Sequence, residues 1–414
     1  MPYSLPWQPD RSLNLDLPQD SLVCAFLEPH SAAVKNLQAA TAEALEHPLA
    51  FPPLAQAVVP GDQLVIALGD EVPAAAPILA TVIRQLVEAG VEASDICILQ
   101  SQSAVHAEML SPYLPAAVID SLNFAVHNPA NDEEVAFLTS TQDQMPILLN
   151  RRLVEADLIV PIGCHRAPEA AGYDGPASTV CPTFSDRKTQ QHFRGFHTSA
   201  SASRHLERAH AKAEEISWLL GIQFVVRVIP GPEDQVAGVV AGSTAASNAA
   251  ADLAFREAWQ IKAPRKANLV VATVTGNAQE QTWDNFGRAL EAASDAVETD
   301  GAIVVCCDLK ESPGPCLQQL AQGDAIAALS QIRRMGDYDA VPAAQLARVL
   351  ERAQVCLLSS LPHQTVEDLG MVHVENGEEI ARLARSRGSF TLLGSAQYAI
   401  VEIDEYAATS YNAS

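Results

Sequence analysis

The stretch DQLVIALGD (Asp62–Asp70), followed by EVPAAAPILATVIRQLVEAG and then SDICILQS (Ser94–Ser101), carries the reading of the fold. Leu64–Leu68 is apolar without alternation, so both faces of the strand it forms must be covered, the condition of a buried parallel sheet. Behind it, Ile78, Val82 and Leu86 recur every four residues, which predicts a helix from Pro77 to Ala89 that Gly90 ends. Ser94–Ser101 supplies the next strand and EADLIVPIG (Glu155–Gly163) a third. This β-α-β order implies a parallel sheet with crossover helices.

The same alternation extends outward. Ser203–Leu220 has helical spacing, with Leu206, Ile216, Leu219 and Leu220 apolar. QFVVRVIPGPEDQVAGVVAG (Gln223–Gly242) reads as a hairpin, two apolar strands around a Pro-Gly-Pro-Glu-Asp turn, with a helix from about Ser243 to Ile261 behind it. KAPRKAN (Lys262–Asn268) is a basic, proline-containing joint in an acidic chain, and a domain boundary is expected there, dividing the chain into residues 1–262 and 263–414. Beyond it, NLVVATVTG, GAIVVCCDL, QVCLLSSL and SFTLLG read as strands. Helices are expected between them at about Gln281–Val297, Cys316–Leu329, Pro342–Glu351 and Gly377–Arg387. The fold class is α/β: two α/β domains with mainly parallel sheets and a ligand cleft between them, at the carboxyl ends of the strands.

Composition narrows the partners. Of 414 residues, 48% are apolar and 18% charged, which suits a buried globular core. A net charge of −24 repels phosphate backbones and anionic lipid, so neither nucleic acid nor membrane is an expected partner. MPYSLPWQPDRSLNLDLP lacks a basic segment followed by an apolar run, and no stretch approaches membrane-spanning length, so a cytoplasmic location is expected. The eight cysteines form no CxxC pair. Cys97, Cys306, Cys307 and Cys356 sit inside apolar strands, as small buried hydrophobes do.

Several stretches carry possible chemistry. Asp70, at the carboxyl end of its strand, either faces a ligand or caps the following helix. GYDGPAS (Gly172–Ser178) has glycines that let backbone N–H groups approach an anion, but lacks the Walker lysine. His192 and His197, and likewise His205 and His210, are five residues apart, the wrong spacing for two metal ligands on one helix face. Cys164 and His165 are adjacent, so in an extended chain they point to opposite faces. Asn285 and Arg288 share a helix face and either hold a carboxylate at the cleft or form a polar outer surface. Trp283 reads as an apolar contact between domains.

The order of these features resembles the nickel-pincer-dependent lactate racemase family (LarA-like) over nearly the whole chain. The points of contact are LVIALGD, VHAEML, FAVHNPANDEEV, RRLVEADLIVPIG, AAGYDGPASTVCP, DRKTQQHF, the Ala209–Ser243 segment and VTGNAQEQTWDNFGRAL. The resemblance implies two α/β domains holding a nickel pincer nucleotide on a lysine. It implies hydride transfer from a 2-hydroxy acid, two histidines as acid and base, and an arginine, a glutamine and a lysine on the substrate carboxylate. Carried over to this chain, the family's aspartate falls on Asp70, and its loop glycines on Gly172 and Gly175. Its glutamine and lysine fall on Asn285 and Arg288. Its carboxylate-binding arginine falls on Pro73, one catalytic histidine on Pro168, the cofactor lysine on Ser178, and the cofactor-contacting histidine on Arg194. The segment with the other catalytic histidine is missing between Gln102 and Val105, and His106 matches a non-catalytic histidine.

Two readings follow. In one the chain is an isomerase acting on a small 2-hydroxy acid or related carboxylate. His165 would be the recruited catalytic group, His192 a metal ligand, and Arg194 and Arg288 further contacts. In the other it is a non-catalytic descendant that binds a small acid or a partner protein in the retained cleft. Serine cannot make the thioamide link of a lysine amine, so site chemistry favours loss of the original reaction.

Overall fold

The computed structural model describes residues 2–8, 11–140, 144–173, 175–198, 202–323 and 325–404. Two six-stranded sheets form its frame. The first runs in the order Val236–Ser243, Phe224–Pro230, Leu158–Cys164, Leu64–Leu68, Ile96–Gln100, Asn123–Val126, parallel throughout except for the antiparallel hairpin at its edge. The second runs Val372–His373, Gln354–Leu358, Val297–Cys306, Ala267–Thr273, Phe390–Leu393, Leu22–Phe26, and every pairing in it is parallel. The expected α/β class with mainly parallel sheets is therefore the observed one.

Leu64–Leu68 is buried on both faces, as its uninterrupted apolar run requires. The helix expected behind it spans Ala75–Glu88 and buries Ile78, Leu79, Val82, Ile83 and Leu86 completely. At about 1.5–3 kcal/mol per buried aliphatic side chain, that stripe alone is a major part of what holds the helix to the sheet. The hairpin around Pro230–Gln235 forms as expected, followed by the helix Thr244–Trp259. In the second half the Gly377–Arg387 helix has its expected bounds, started by Asn376 and ended by Gly388 in the left-handed conformation. The helix expected at Cys316–Leu329 is instead a 3₁₀ turn, Leu317–Gln322, and a helix displaced to Ala325–Met335. Gly323, at φ 132°, breaks the chain between them.

The N-terminal segment does not stay with the first sheet. Leu22–Phe26 pairs with Phe390–Leu393 at the edge of the second, and Leu5, Leu13, Leu15 and Leu17 pack on that sheet's face with Leu269, Val304 and Leu392. Gln260–Ala263 pairs with Ile400–Ile403 near the expected joint. These pairings support a proposed division in which residues 2–26 join the unit that resumes at about Lys262. The strands' carboxyl ends in both sheets then open toward one cleft, where ligands bind in such folds.

Candidate functional site

The turn after Leu64–Leu68 is strained. Glu71 and Ala74 have φ of 55° and 46°, a region that costs roughly 1–2 kcal/mol for a residue with a Cβ. Ala74, not Asp70, caps the following helix, and no side chain bonds there. Asp70 instead accepts a hydrogen bond from the Ser101 hydroxyl and borders three adjoining cavities of about 130, 810 and 320 Å³. The capping alternative for Asp70 is thereby set aside.

Beside it, Glu71 reaches across the cleft. Its carboxylate accepts from Arg288 of the helix Trp283–Ala296 and lies 3.8 Å from Arg166 Nη2. Arg288 also donates to Asn285 Oδ1 at 2.9 Å, and Asn285 Nδ2 donates to Glu280 Oε2 at 3.1 Å. Asn285 is wholly buried and Arg288 lines all three cavities, so this helix face is not a polar outer surface. Arg166 donates to the Gln397 carbonyl, and its guanidinium lies 4.9 Å from the Tyr398 ring centroid, within cation–π range. Burial beside Glu71 and Asp234 pushes the Glu280 carboxyl up to about 8, against the pull of Arg166 and Arg288. Trp283 packs edge-on to Phe286, donates to Glu311 O, and belongs to a buried cluster that also holds Ala167, Ala170 and Trp259.

The 130 Å³ cavity lies where the Gly172–Thr183 loop closes over the first sheet. It is lined by Gly69–Glu71, Gly163–Arg166, Gly172, Gly175, Ser178, Thr179, Arg227 and Arg288 among others. Both loop glycines are in the left-handed region, Gly172 at φ 73° and Gly175 at φ 94°, and a Cβ on Gly172 would lie 2.4 Å from Arg288 Nε. Arg227 pins the loop: it donates to the Pro176 carbonyl, to Thr179 Oγ1 at 3.0 Å and to Asn248 Oδ1 at 2.8 Å. It is buried, and desolvation lowers its guanidinium to about 10. His165 lines the same cavity, with Nε2 2.8 Å from Asp252 Oδ1. Burial, and then the charge of Arg227, lower its imidazole to about 4 in spite of Asp252.

The other expected positions separate. Arg194 lines the 320 Å³ cavity, where Nη2 donates to Gln190 Oε1 at 3.2 Å, and His197 is nearby. His192 is exposed, lies edge-on to Phe196 at 4.8 Å and borders none of the three cavities, so the expected metal ligand is not brought to the cleft. Its helix turns it outward because Thr189 and Phe193 occupy the buried stripe. His210 packs under Gly175 and against Tyr173. Asp174 and the His205 side chain lie outside the described residues. Pro168 is exposed and Ala177 is buried among apolar side chains. Among the described residues, the His/Cys/Asp/Glu group close enough to share an ion is Glu43, Glu46 and His47, exposed and outside these cavities. The inspection of sequence missed Glu71, Arg166, Arg227, Glu280 and Tyr398. The first two are the immediate neighbours of Asp70 and His165, which was the available signal.

Two mainly parallel sheets face one polar cleft, bridged by Glu71, Arg166 and Arg288, and define an α/β protein of the mainly parallel class. Residues 9–204 match the family described as the lactate racemase N-terminal domain. The structure of the chain is similar to the lactate racemase apoprotein from Thermoanaerobacterium thermosaccharolyticum, with TM-score 0.79 and 17% identity, covering 97% of this chain and 100% of that one. It is also similar to a protein from Thermotoga maritima, with TM-score 0.65 and 13% identity, covering 92% of this chain and 100% of that one. At these identities the likeness speaks for the fold. No curated protein matches the sequence significantly.

Proposed function

We propose that this chain binds a small carboxylate-type ligand in its interdomain cleft and does not perform the nickel-pincer racemisation that its family resemblance implies. The observation that carries this reading is the side chain at the loop position the resemblance gives to the cofactor lysine. Ser178 borders the cavity there and offers a hydroxyl. The cavity there, about 130 Å³, is the smallest of the three that adjoin in the cleft. Arg288 packs directly on Gly172, and Arg227 holds the loop across Pro176 and Thr179. The pincer nucleotide, attached in the family's manner, does not suit these residues, and no step is routed through it.

A second reading, an isomerase with a relocated base, is favoured by one feature. His165 stands at the cavity wall with its imidazole oriented by Asp252, the usual arrangement for a general base, and it is held neutral at pH 7.

Protein made together with the cofactor-synthesis enzymes distinguishes the readings. Intact mass and nickel content should show neither adduct nor metal. A screen of 2-hydroxy acids should show thermal stabilisation without racemisation. Racemisation accompanied by bound nickel or a covalent adduct would overturn the proposal, and racemisation without either would establish the His165 reading.

A further inference from the structure

Arg166 is nearly inaccessible, yet its Nη2 has no hydrogen-bond partner; the Glu71 carboxylate, at 3.8 Å, is too far to accept one. A buried charged donor left unmatched is costly and calls for a physical reason, such as a bound ion. Around the same cavity stand two more guanidinium groups, Arg227 and Arg288, against two carboxylates, Asp70 and Glu71. Among the described residues the lining thus carries an excess positive charge, in a chain whose net charge is −24. The space is built for close approach. A Cβ at Gly163 would lie 2.4 Å from Thr179 Oγ1 and 3.3 Å from Arg227 Nη1, so only glycine leaves room for both. The volume of about 130 Å³ equals roughly four waters at ~30 Å³ each, or one oxyanion of about five or six heavy atoms.

We propose that this cavity is a site for one compact oxyanion, either inorganic phosphate or the carboxylate of a short acid, held by Arg166 and Arg227 with the Ser178 and Thr179 hydroxyls. Glu71 is the internal competitor: its carboxylate sits on Arg288 and faces Arg166, in the position an incoming anion would share. Neither Arg166 nor Arg227 falls on a residue to which the family resemblance assigns a role. The inference rests on the reading of the cleft as a small-acid site and narrows it to this chamber and to this ligand size.

The test is calorimetric titration of the full chain with inorganic phosphate, acetate and adenosine monophosphate. One equivalent of phosphate or of acetate should bind, and which of the two binds tighter identifies the source of the oxyanion. Adenosine monophosphate, whose nucleoside would have to lie in the adjoining 810 Å³ cavity, should bind no tighter than phosphate, and tighter binding would place the site in that larger cavity instead. Arg166→Gln should weaken binding by about tenfold or more, because a charge-assisted contact is lost. Glu71→Gln should tighten it by about tenfold, because a competing charge is removed. Circular dichroism checks that each variant is folded, and Glu71→Gln decides alone if Arg166→Gln is not. Absence of saturable binding of both small anions, or binding indifferent to every folded variant, would overturn the proposal. A wider screen separates this failure from failure of the proposed function: larger acids binding in the 810 Å³ cavity would sink the oxyanion chamber alone, whereas nickel-dependent racemisation would sink the proposed function.

Discussion

Replacing Glu280 by Gln should stabilise the protein, increasingly so as pH rises. Glu280 is buried, accepts from Asn285 Nδ2, and is near enough to the Tyr398 hydroxyl, at 3.4 Å, for a weak bond. Its carboxyl is raised from 4.5 to about 8 by burial and by the charges of Glu71 and Asp234. Below pH 4.5 the group is protonated in both folded and unfolded chains and has no effect. Between 4.5 and 8 only the folded chain keeps the proton, so stability declines by ~1.36 kcal/mol per pH unit. Over about 3.5 units the ceiling is ~5 kcal/mol. Water entering the adjoining cavity would solvate the ionised carboxylate, so about 2–3 kcal/mol is the expected effect. Gln keeps an oxygen for Asn285 but does not titrate. Urea denaturation followed by tryptophan fluorescence at pH 4, 6, 8 and 9 should show wild type and Glu280→Gln alike at pH 4, with the variant gaining up to pH 8 and no further. A stability difference that stays constant across this range would refute the assignment of a buried proton to Glu280.

Gly172→Ala should cost about 1–3 kcal/mol, because its φ of 73° disfavours a Cβ and Arg288 must withdraw from 2.4 Å; an unchanged melting temperature would contradict the close packing of loop on helix. Ser178→Lys alone should yield no racemase activity in protein supplied with the cofactor machinery, since Pro168 and Pro73 still occupy acid-base and carboxylate positions of the resemblance; activity from this one change would refute the account of the loop. The His165 contribution has the opposite pH sense to Glu280. Its folded pKa, about 4, lies below 6.5, so the stability it confers is complete above pH 6.5 and is lost as pH falls through 4. Its ring protons should accordingly show no titration by NMR between about pH 5 and pH 8, where an ordinary histidine titrates.

Much of the frame is legible in local sequence. Leu64–Leu68 and the runs 96–99 and 158–162 are apolar on both faces, and that pattern admits few structures besides a covered parallel sheet. Gly388 and Asn376 mark helix ends through their own backbone and side-chain chemistry, so the bounds of Gly377–Arg387 could be read directly. Gly172 and Gly175 marked the loop at the site for the same reason. Leu22–Phe26 was not legible, because a short half-buried edge strand has a weak pattern and nothing local names its partner, Phe390–Leu393. The exposure of His192 depended on which stripe of its helix the core would take. The site depended most on tertiary structure. Glu71 meets Arg288 across 217 residues, and Arg166 meets Gln397 across 231. Periodicity records which side chains must leave water, and so determined the two sheets and the loop. Which buried charges face one another is settled only when the strand ends of both sheets close on one cleft, and that closure made neighbours of Glu71, Arg166 and Arg288.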